Sequence, residues 1–321
     1  MRYIAKVQES FTEFNKQYFE KKPDALYQPI NYAMQSGGKY VRPLLMIYAA
    51  ELFHLEIDSV LKNAYGIELF HNFTLVHDDI MDNSLVRRGK PTVFSKFGLN
   101  SGVLSGDLML IVAMQLASLK NDKTNPELFD LVSNTAIKIH EGQQMDVDFE
   151  EMTTVEEKEY IKMIEYKTAV LLACSLQMGA ILAGANYADQ SHLYEFGRLI
   201  GIAFQIQDDY LDAFGDAKVG KKIGGDILNN KKTLLFIASM NLGTEEQKLA
   251  LLKHFSTKQA KESKKIEEVK EIFIKSGAQQ YCKNLMKSLH QDAISCLKSL
   301  STKKSLDSLL EIADLIIERK S

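Results

Sequence analysis

The sequence predicts an all-α protein, a single domain of many helices in a bundle whose core can hold a ligand cavity. Three observations carry this. All five prolines (Pro23, Pro29, Pro43, Pro91 and Pro126) fall in the first 126 of 321 residues, so the remainder lacks the strongest helix breaker. Positions Ile161, Ile164, Thr168, Leu171, Leu172 and Leu176 fall at helical spacing, as do Leu199, Ile202, Ala203, Ile206 and Leu211. No stretch alternates cleanly between apolar and polar residues as a half-buried strand does.

Along the chain, the opening MRYIAKVQESFTEFNKQYFEKK alternates charged and apolar residues. With Glu9 and Glu13 it has neither a signal-peptide core nor the acid-poor bias of a transit peptide. Breaks are expected at Ser36-Gly37-Gly38, at Arg88-Gly89-Lys90-Pro91, from Asn121 to Asn125, and from Gly215 to Asn230. None is long enough to link domains, so residues 1–321 read as one. The C-terminal stretch, rich in Lys and Glu at (i, i+4) spacing, reads as amphipathic helices with solvated faces and no chemical motif.

Composition narrows the function classes. Charged residues make up 25%, apolar residues 45% and the formal net charge is −3, which describes an ordinary globular protein and argues against disorder or nucleic-acid binding. Cys174, Cys282 and Cys296 are too few and too scattered for a zinc site, and their odd number does not suggest a disulfide framework, so a reducing compartment fits. No uninterrupted apolar run approaches the roughly 20 residues of a membrane span. The expectation is a soluble, cytoplasmic protein.

Two acidic clusters stand out. Asp78, Asp79 and Asp82 follow the apolar run LFHNFTLV, and Asp208, Asp209 and Asp212 follow LIGIAFQIQ, both with the spacing D-D-x-x-D. On a helix, Asp78 with Asp82, and Asp208 with Asp212, project to one side about one turn apart. A divalent cation can bridge each pair. Carboxylate oxygens suit Mg²⁺, which completes its shell with water and substrate phosphates. A solvated acidic face is the usual meaning of a charge cluster, but two copies behind apolar runs disfavour it. Cations sit nearby in sequence: Lys39 and Arg42 in GGKYVRP, Arg87 and Arg88 after the first cluster, and Lys221, Lys222, Lys231 and Lys232 after the second. Such groups are the usual partners of phosphate oxygens. Together these residues describe a site for two diphosphates, one on metals and one on side chains alone.

Over essentially its whole length the chain resembles the trans-isoprenyl diphosphate synthases, or polyprenyl synthetases. It carries in order GGK-x-x-RP, D-D-x-x-D-x(4)-R-R-G, K-T, F-Q-x-x-D-D-x-x-D and K-I-G-x-D-I-x-x-N-K. The resemblance implies an all-α isoprenoid synthase fold around a deep central cavity, usually homodimeric. It also implies Mg²⁺-dependent joining of isopentenyl diphosphate to an allylic diphosphate (dimethylallyl, geranyl or farnesyl), with two or three ions per site. It assigns the six aspartates to metal, with Asp208 the most directly placed. Arg87, Lys167, Lys222 and Lys231 would hold the allylic diphosphate, and Lys39, Arg42, His71 and Arg88 isopentenyl diphosphate. Thr168 and Gln205 would face the developing carbocation. Tyr40 departs from the second basic residue that many relatives carry there.

The product tail should run back along the helix that carries Asp78. Positions one to two turns earlier lie roughly 6 to 11 Å below the metals; they are Thr74, Phe73 and Phe70. Phe73 is expected to form part of the pocket floor, with the small Thr74 leaving room. In the family that pattern resembles C20 makers more than C15 makers, so geranylgeranyl diphosphate is favoured over farnesyl diphosphate. The alternatives are a terpene cyclase, a head-to-head synthase of squalene type, and a non-catalytic partner subunit. A cyclase shares one D-D-x-x-D but has a second metal motif of Asn/Ser/Glu type, a head-to-head synthase uses D-x-x-x-D spacings, and a partner subunit would be expected to have lost aspartates that are all present here.

Overall fold

Helices form nearly every element of the computed structural model, which describes residues 2–215, 224–256 and 262–317. In order these are α1 (Ile4–Phe19), α2 (Asp24–Met34), α3 (Val41–Leu52), α4 (Leu61–Met81), α5 (Val93–Phe97), α6 (Leu99–Ala117), α7 (Pro126–Glu151) and α8 (Glu157–Ile164). A π-helical turn at Glu165–Ala169 leads into α9 (Val170–Leu182). Then follow α10 (Tyr187–Phe214), α11 (Gly225–Leu228), α12 (Leu234–Leu242), α13 (Glu245–Ser256), α14 (Glu262–Lys275), α15 (Ala278–Lys298) and α16 (Asp307–Ile317).

Two of the expected breaks are small antiparallel hairpins, β1 (Val86–Arg87) with β2 (Lys90–Pro91) and β3 (Leu119–Lys120) with β4 (Lys123–Thr124). Strands of two residues are too short to show alternation. Their turns were legible instead from glycine, proline and asparagine, and in each both central residues take positive φ: Arg88 (51°) and Gly89 (74°) in one, Asn121 (52°) and Asp122 (57°) in the other.

The chain groups into two compact units. The first comprises Met1–Asn134, Cys174–Gln190 and Thr302–Ser305, and the second Thr135–Ala173, Ser191–Ser301 and Leu306–Ser321. Three of the divisions fall inside α7, α9 and α10, and the other two in the connection between α15 and α16.

In the first unit α4 is buried along most of its length and packs against α6. Close approach is required at Gly66, where a Cβ would lie 2.6 Å from the Ala117 backbone nitrogen. Asn63 ties the same pair together, donating to the Ala117 and Leu119 carbonyls at 3.0 and 2.7 Å. By length and composition alone α6 could cross a membrane, a helix that the sequence reading passed over because Ser, Gly and Asp107 interrupt its apolar run.

In the second unit α8, the π-turn, α10, α12, α14 and α15 share a core that includes Tyr160, Ile164, Ile206, Phe236, Phe273 and Met286. The start of α8 is fixed by a reciprocal cap between Glu156 and Glu159.

Candidate active site

In the second unit a cavity of about 220 Å³ gathers Asp208, Asp209 and Asp212 from α10, Asp146 and Glu150 from α7, Lys167 and Thr168 from the π-turn, and Asp226, Lys231 and Lys232 from the segment around α11. Helical spacing brings the motif aspartates to one wall. The π-turn sets the other. It is wedged between two glycines: a Cβ on Gly142 would lie 2.4 Å from the Lys167 nitrogen, and one on Gly201 would lie 2.5 Å from the Ala169 Cα. Single π-turns inside helices are common at functional sites.

The polar groups in this cavity are paired with one another. Lys167 Nζ donates to Asp146 Oδ2 at 2.5 Å, and Thr168 Oγ1 donates to Gln205 Oε1 at 3.0 Å. Gln205 Nε2 donates to Asp209 Oδ1 at 2.9 Å, and the buried Tyr160 hydroxyl donates to Asp209 Oδ2 at 2.6 Å. Asp209 thus orients Gln205, whose oxygen meets the threonine. Burial, then the nearby charge of Asp226, push the Asp209 carboxyl up to about 8 against the opposing pull of Tyr160, Gln205 and Lys231. Burial is offset at Asp146, where Lys167 and Lys231 hold the carboxyl below its usual range. Asp212 receives the Asp226 backbone N–H at Oδ2, 2.9 Å.

In the first unit the other acidic motif ends α4. Asp78 is half-buried, Asp79 is buried and Asp82 is exposed, its N–H closing the last turn onto the Asp78 carbonyl at 2.8 Å. Arg87 Nε donates to Asp79 Oδ1 at 2.8 Å. Burial raises the Asp79 carboxyl, and Arg87 opposes it.

Close by, Arg88 donates to the Gly37 carbonyl, so the tip of the β1–β2 hairpin meets the GGK loop. Arg42 has a buried Nε with no hydrogen-bond partner, and burial lowers its pKa to about 10 although Glu68 opposes this. His71 is held well below its usual value, first by burial and then by Arg42, Arg88 and Arg87, so its ring is neutral. Lys39 is exposed on the loop. An orphaned guanidinium donor among like charges is a place for an anion.

Along α4, the Thr74 hydroxyl returns to the His71 carbonyl at 2.8 Å. Phe70 and Phe73 are buried edge to face at 5.5 Å, and Phe73 also meets His77 at 4.9 Å. At about 100° per residue, Thr74 lies on the Asp78 face and Phe73 about 140° away from it. His77, which shares the Phe73 side, abuts Gly106 on α6.

Apart from Lys39, for which the structure gives only an exposed loop position, the described residues that the sequence singled out as site residues lie on these elements of the two units. Lys221 and Lys222 lie outside the described residues. Sequence reading gave no role to Glu68, Asp146, Tyr160 or Asp226. Asp226 stood in K-I-G-x-D and could have been found there. Tyr160 meets Asp209 across 49 positions and left no local signal. Glu68 is an acid on a buried helix face, 5% exposed beside Arg42, and one turn before Asn72, which donates to it at 3.3 Å.

Comparison with known proteins agrees with these motifs. The polyprenyl synthetase family pattern matches residues 23–273. The chain is 36% identical over 325 residues to a geranylgeranyl diphosphate synthase of Sulfolobus acidocaldarius, covering 99% of this chain and 98% of that protein. It is 32% identical to a geranylfarnesyl diphosphate synthase of Natronomonas pharaonis, over 93% of this chain and 91% of that one. A solved geranylgeranyl pyrophosphate synthase structure superposes with a TM-score of 0.91 at 39% identity, covering 100% of both chains. With its all-α fold and its two ordered acidic motifs, the chain belongs to the polyprenyl synthetase family and is a prenyltransferase.

Proposed function

We propose that this protein condenses isopentenyl diphosphate with allylic diphosphates in a Mg²⁺-dependent reaction, giving an all-trans product of C20 in preference to C15. The supporting observation is the cavity in which Asp208, Asp209, Asp212 and Asp226 adjoin Lys167, Lys231 and Lys232 above the Thr168–Gln205 pair.

The donor set fits Mg²⁺. All of its carboxylates are hard oxygen ligands, and at Asp209 burial and the nearby charge of Asp226 both disfavour ionisation. Among the described residues no three acidic, histidine or cysteine side chains converge on one point. Mg²⁺ takes one or two protein carboxylates and fills its shell with water and phosphate. Asp208 and Asp212 in one unit, and Asp78 and Asp82 in the other, would hold such ions, which when bound act as Lewis acids on the leaving diphosphate.

The chain's own side chains supply the rest. Lys167, Lys231 and Arg87 are assigned to the allylic diphosphate, where fixed cations stabilise charge as the C–O bond breaks. Arg42, Arg88, Lys39 and neutral His71 are assigned to isopentenyl diphosphate, with Glu68 keeping the buried guanidinium of Arg42 charged. Thr168 and Gln205 offer oxygen dipoles to the carbocation and are poor at trapping it covalently. The proton lost from the intermediate goes to the released diphosphate. A lid over the site is proposed in the segment from Lys218 to Lys232, of which residues 218–223 lie outside the described residues.

The test is incubation with Mg²⁺, labelled isopentenyl diphosphate and each allylic primer, followed by chain-length analysis of the dephosphorylated products. A C20 alcohol that vanishes with EDTA supports the proposal; no incorporation with any primer from folded protein refutes it. In the same assay Phe73→Ala is expected to lengthen the product by at least one isoprene unit, through loss of the buried ring that backs Phe70. An unchanged product would remove Phe73 from the floor.

A cytoplasmic homodimer is also proposed. Leu104 and Ile111, 59% and 56% exposed, lie two turns apart on α6, and Val103 is exposed beside them, an apolar stripe of the kind that a second copy covers. Leu104→Lys with Ile111→Glu is expected to halve the sedimenting mass. A variant that sediments like the parent would place the interface elsewhere.

A further inference from the structure

We propose that Lys265, on α14, is a positioning residue for the allylic diphosphate site: its buried ammonium holds Asn230 and so fixes the turn that carries Asp226 and Lys231. The inference rests on the assignment of that site made above. From sequence, lysines in this stretch read as part of a solvated face. Lys265 is instead 2% exposed. Its Nζ donates to Asn230 Oδ1 and lies 5.5 Å from the centre of the Phe255 ring. Burial lowers its pKa, with no acid offsetting the effect. An ammonium is costly to bury, and an apolar residue would fill the same space more cheaply. Of the two contacts that only an ammonium makes here, the hydrogen bond to Asn230 is the one that reaches the turn.

Asn230 closes the turn after α11. Its φ is 57°, a left-handed conformation that asparagine tolerates better than most residues. Its N–H donates to the Ile227 carbonyl at 3.3 Å, and the next N–H, of Lys231, donates to the Asp226 carbonyl at 2.9 Å. The same turn is tied to the acidic motif at its start: Gly224 N–H reaches the Asp212 carbonyl at 2.7 Å, and Asp226 N–H reaches Asp212 Oδ2 at 2.9 Å. Ile266, next to Lys265, packs so closely on Gly224 that a Cβ there would lie 2.8 Å away. The turn is thus held by α10 through Asp212 and by α14 through Lys265 and Ile266. Asp226 and Lys231 line the cavity and Lys265 does not. Lys265 acts only through Asn230, and its loss should fall on allylic diphosphate affinity and leave isopentenyl diphosphate affinity alone.

Two substitutions in the full-length protein isolate the contact. Lys265→Met keeps the stem and removes the ammonium. Asn230→Gly keeps the left-handed backbone and removes the acceptor. The probe is geranyl S-thiolodiphosphate, an allylic diphosphate that resists cleavage, titrated calorimetrically with Mg²⁺ alongside steady-state kinetics. Failure of the parent protein to bind the probe would refute the site assignment itself. With parent binding shown, both variants should bind about fivefold more weakly and raise the allylic KM to match, with kcat and the isopentenyl diphosphate KM within about twofold. Probe affinity within about twofold of the parent in both variants would overturn the inference, as would an equal rise of the allylic and isopentenyl diphosphate KM values, the mark of a general scaffold role. If Lys265→Met does not fold, Asn230→Gly decides by the same criteria.

Discussion

Alanine at Asp208 is expected to lower kcat/KM by about 10³-fold, about 4 kcal/mol of transition-state stabilisation, while the protein stays folded. Both oxygens of its neighbour Asp209 are engaged, by Tyr160 and by Gln205. Asp208 and Asp212, one turn apart on α10, are the carboxylates of this wall proposed to hold the cation. Asp208 is half-buried in the cavity wall. Steady-state kinetics against Mg²⁺ concentration, with circular dichroism melts, make the test. Activity within about tenfold of the parent would move the principal metal carboxylate elsewhere.

Valine at Gly201 is expected to act by packing alone, with a loss of about 3 kcal/mol in unfolding free energy and loss of most activity. A Cβ there would stand 2.5 Å from the Ala169 Cα and 2.6 Å from its Cβ, so the π-turn must move for any side chain to fit. The opposite side of that turn offers no slack, because Gly142 already touches Lys167 and Tyr166. The turn carries Lys167 and Thr168, and its displacement would separate Lys167 from Asp146 and Thr168 from Gln205. Urea unfolding and the product assay read the two effects. A variant of parental stability and activity would mean that the turn yields without cost.

The two predictions separate what each level of description holds. The aspartates were legible because a motif at (i, i+4) spacing needs only a helix to become a face. The glycines were not, since a glycine inside an apolar helix looks the same whether it meets a neighbouring backbone or open space.

The sequence by itself determined the all-α class, the positions of the main breaks, the two acidic motifs and the cations that accompany them. These follow from local rules: proline and glycine placement, helical period, and the spacing of charges along one element. Tertiary structure decided which groups share a cavity. It brought Tyr160 to Asp209 across 49 positions, set Asp226 against Asp212, buried Glu68 beside Arg42, and took Lys265 out of an apparently solvated face. It also inserted the π-turn that aims Lys167 and Thr168, through contacts with Gly142 and Gly201. The physical reason is that burial and pairing are properties of distance in space. Helices far apart in the chain fix those distances by packing, and no window of sequence contains them.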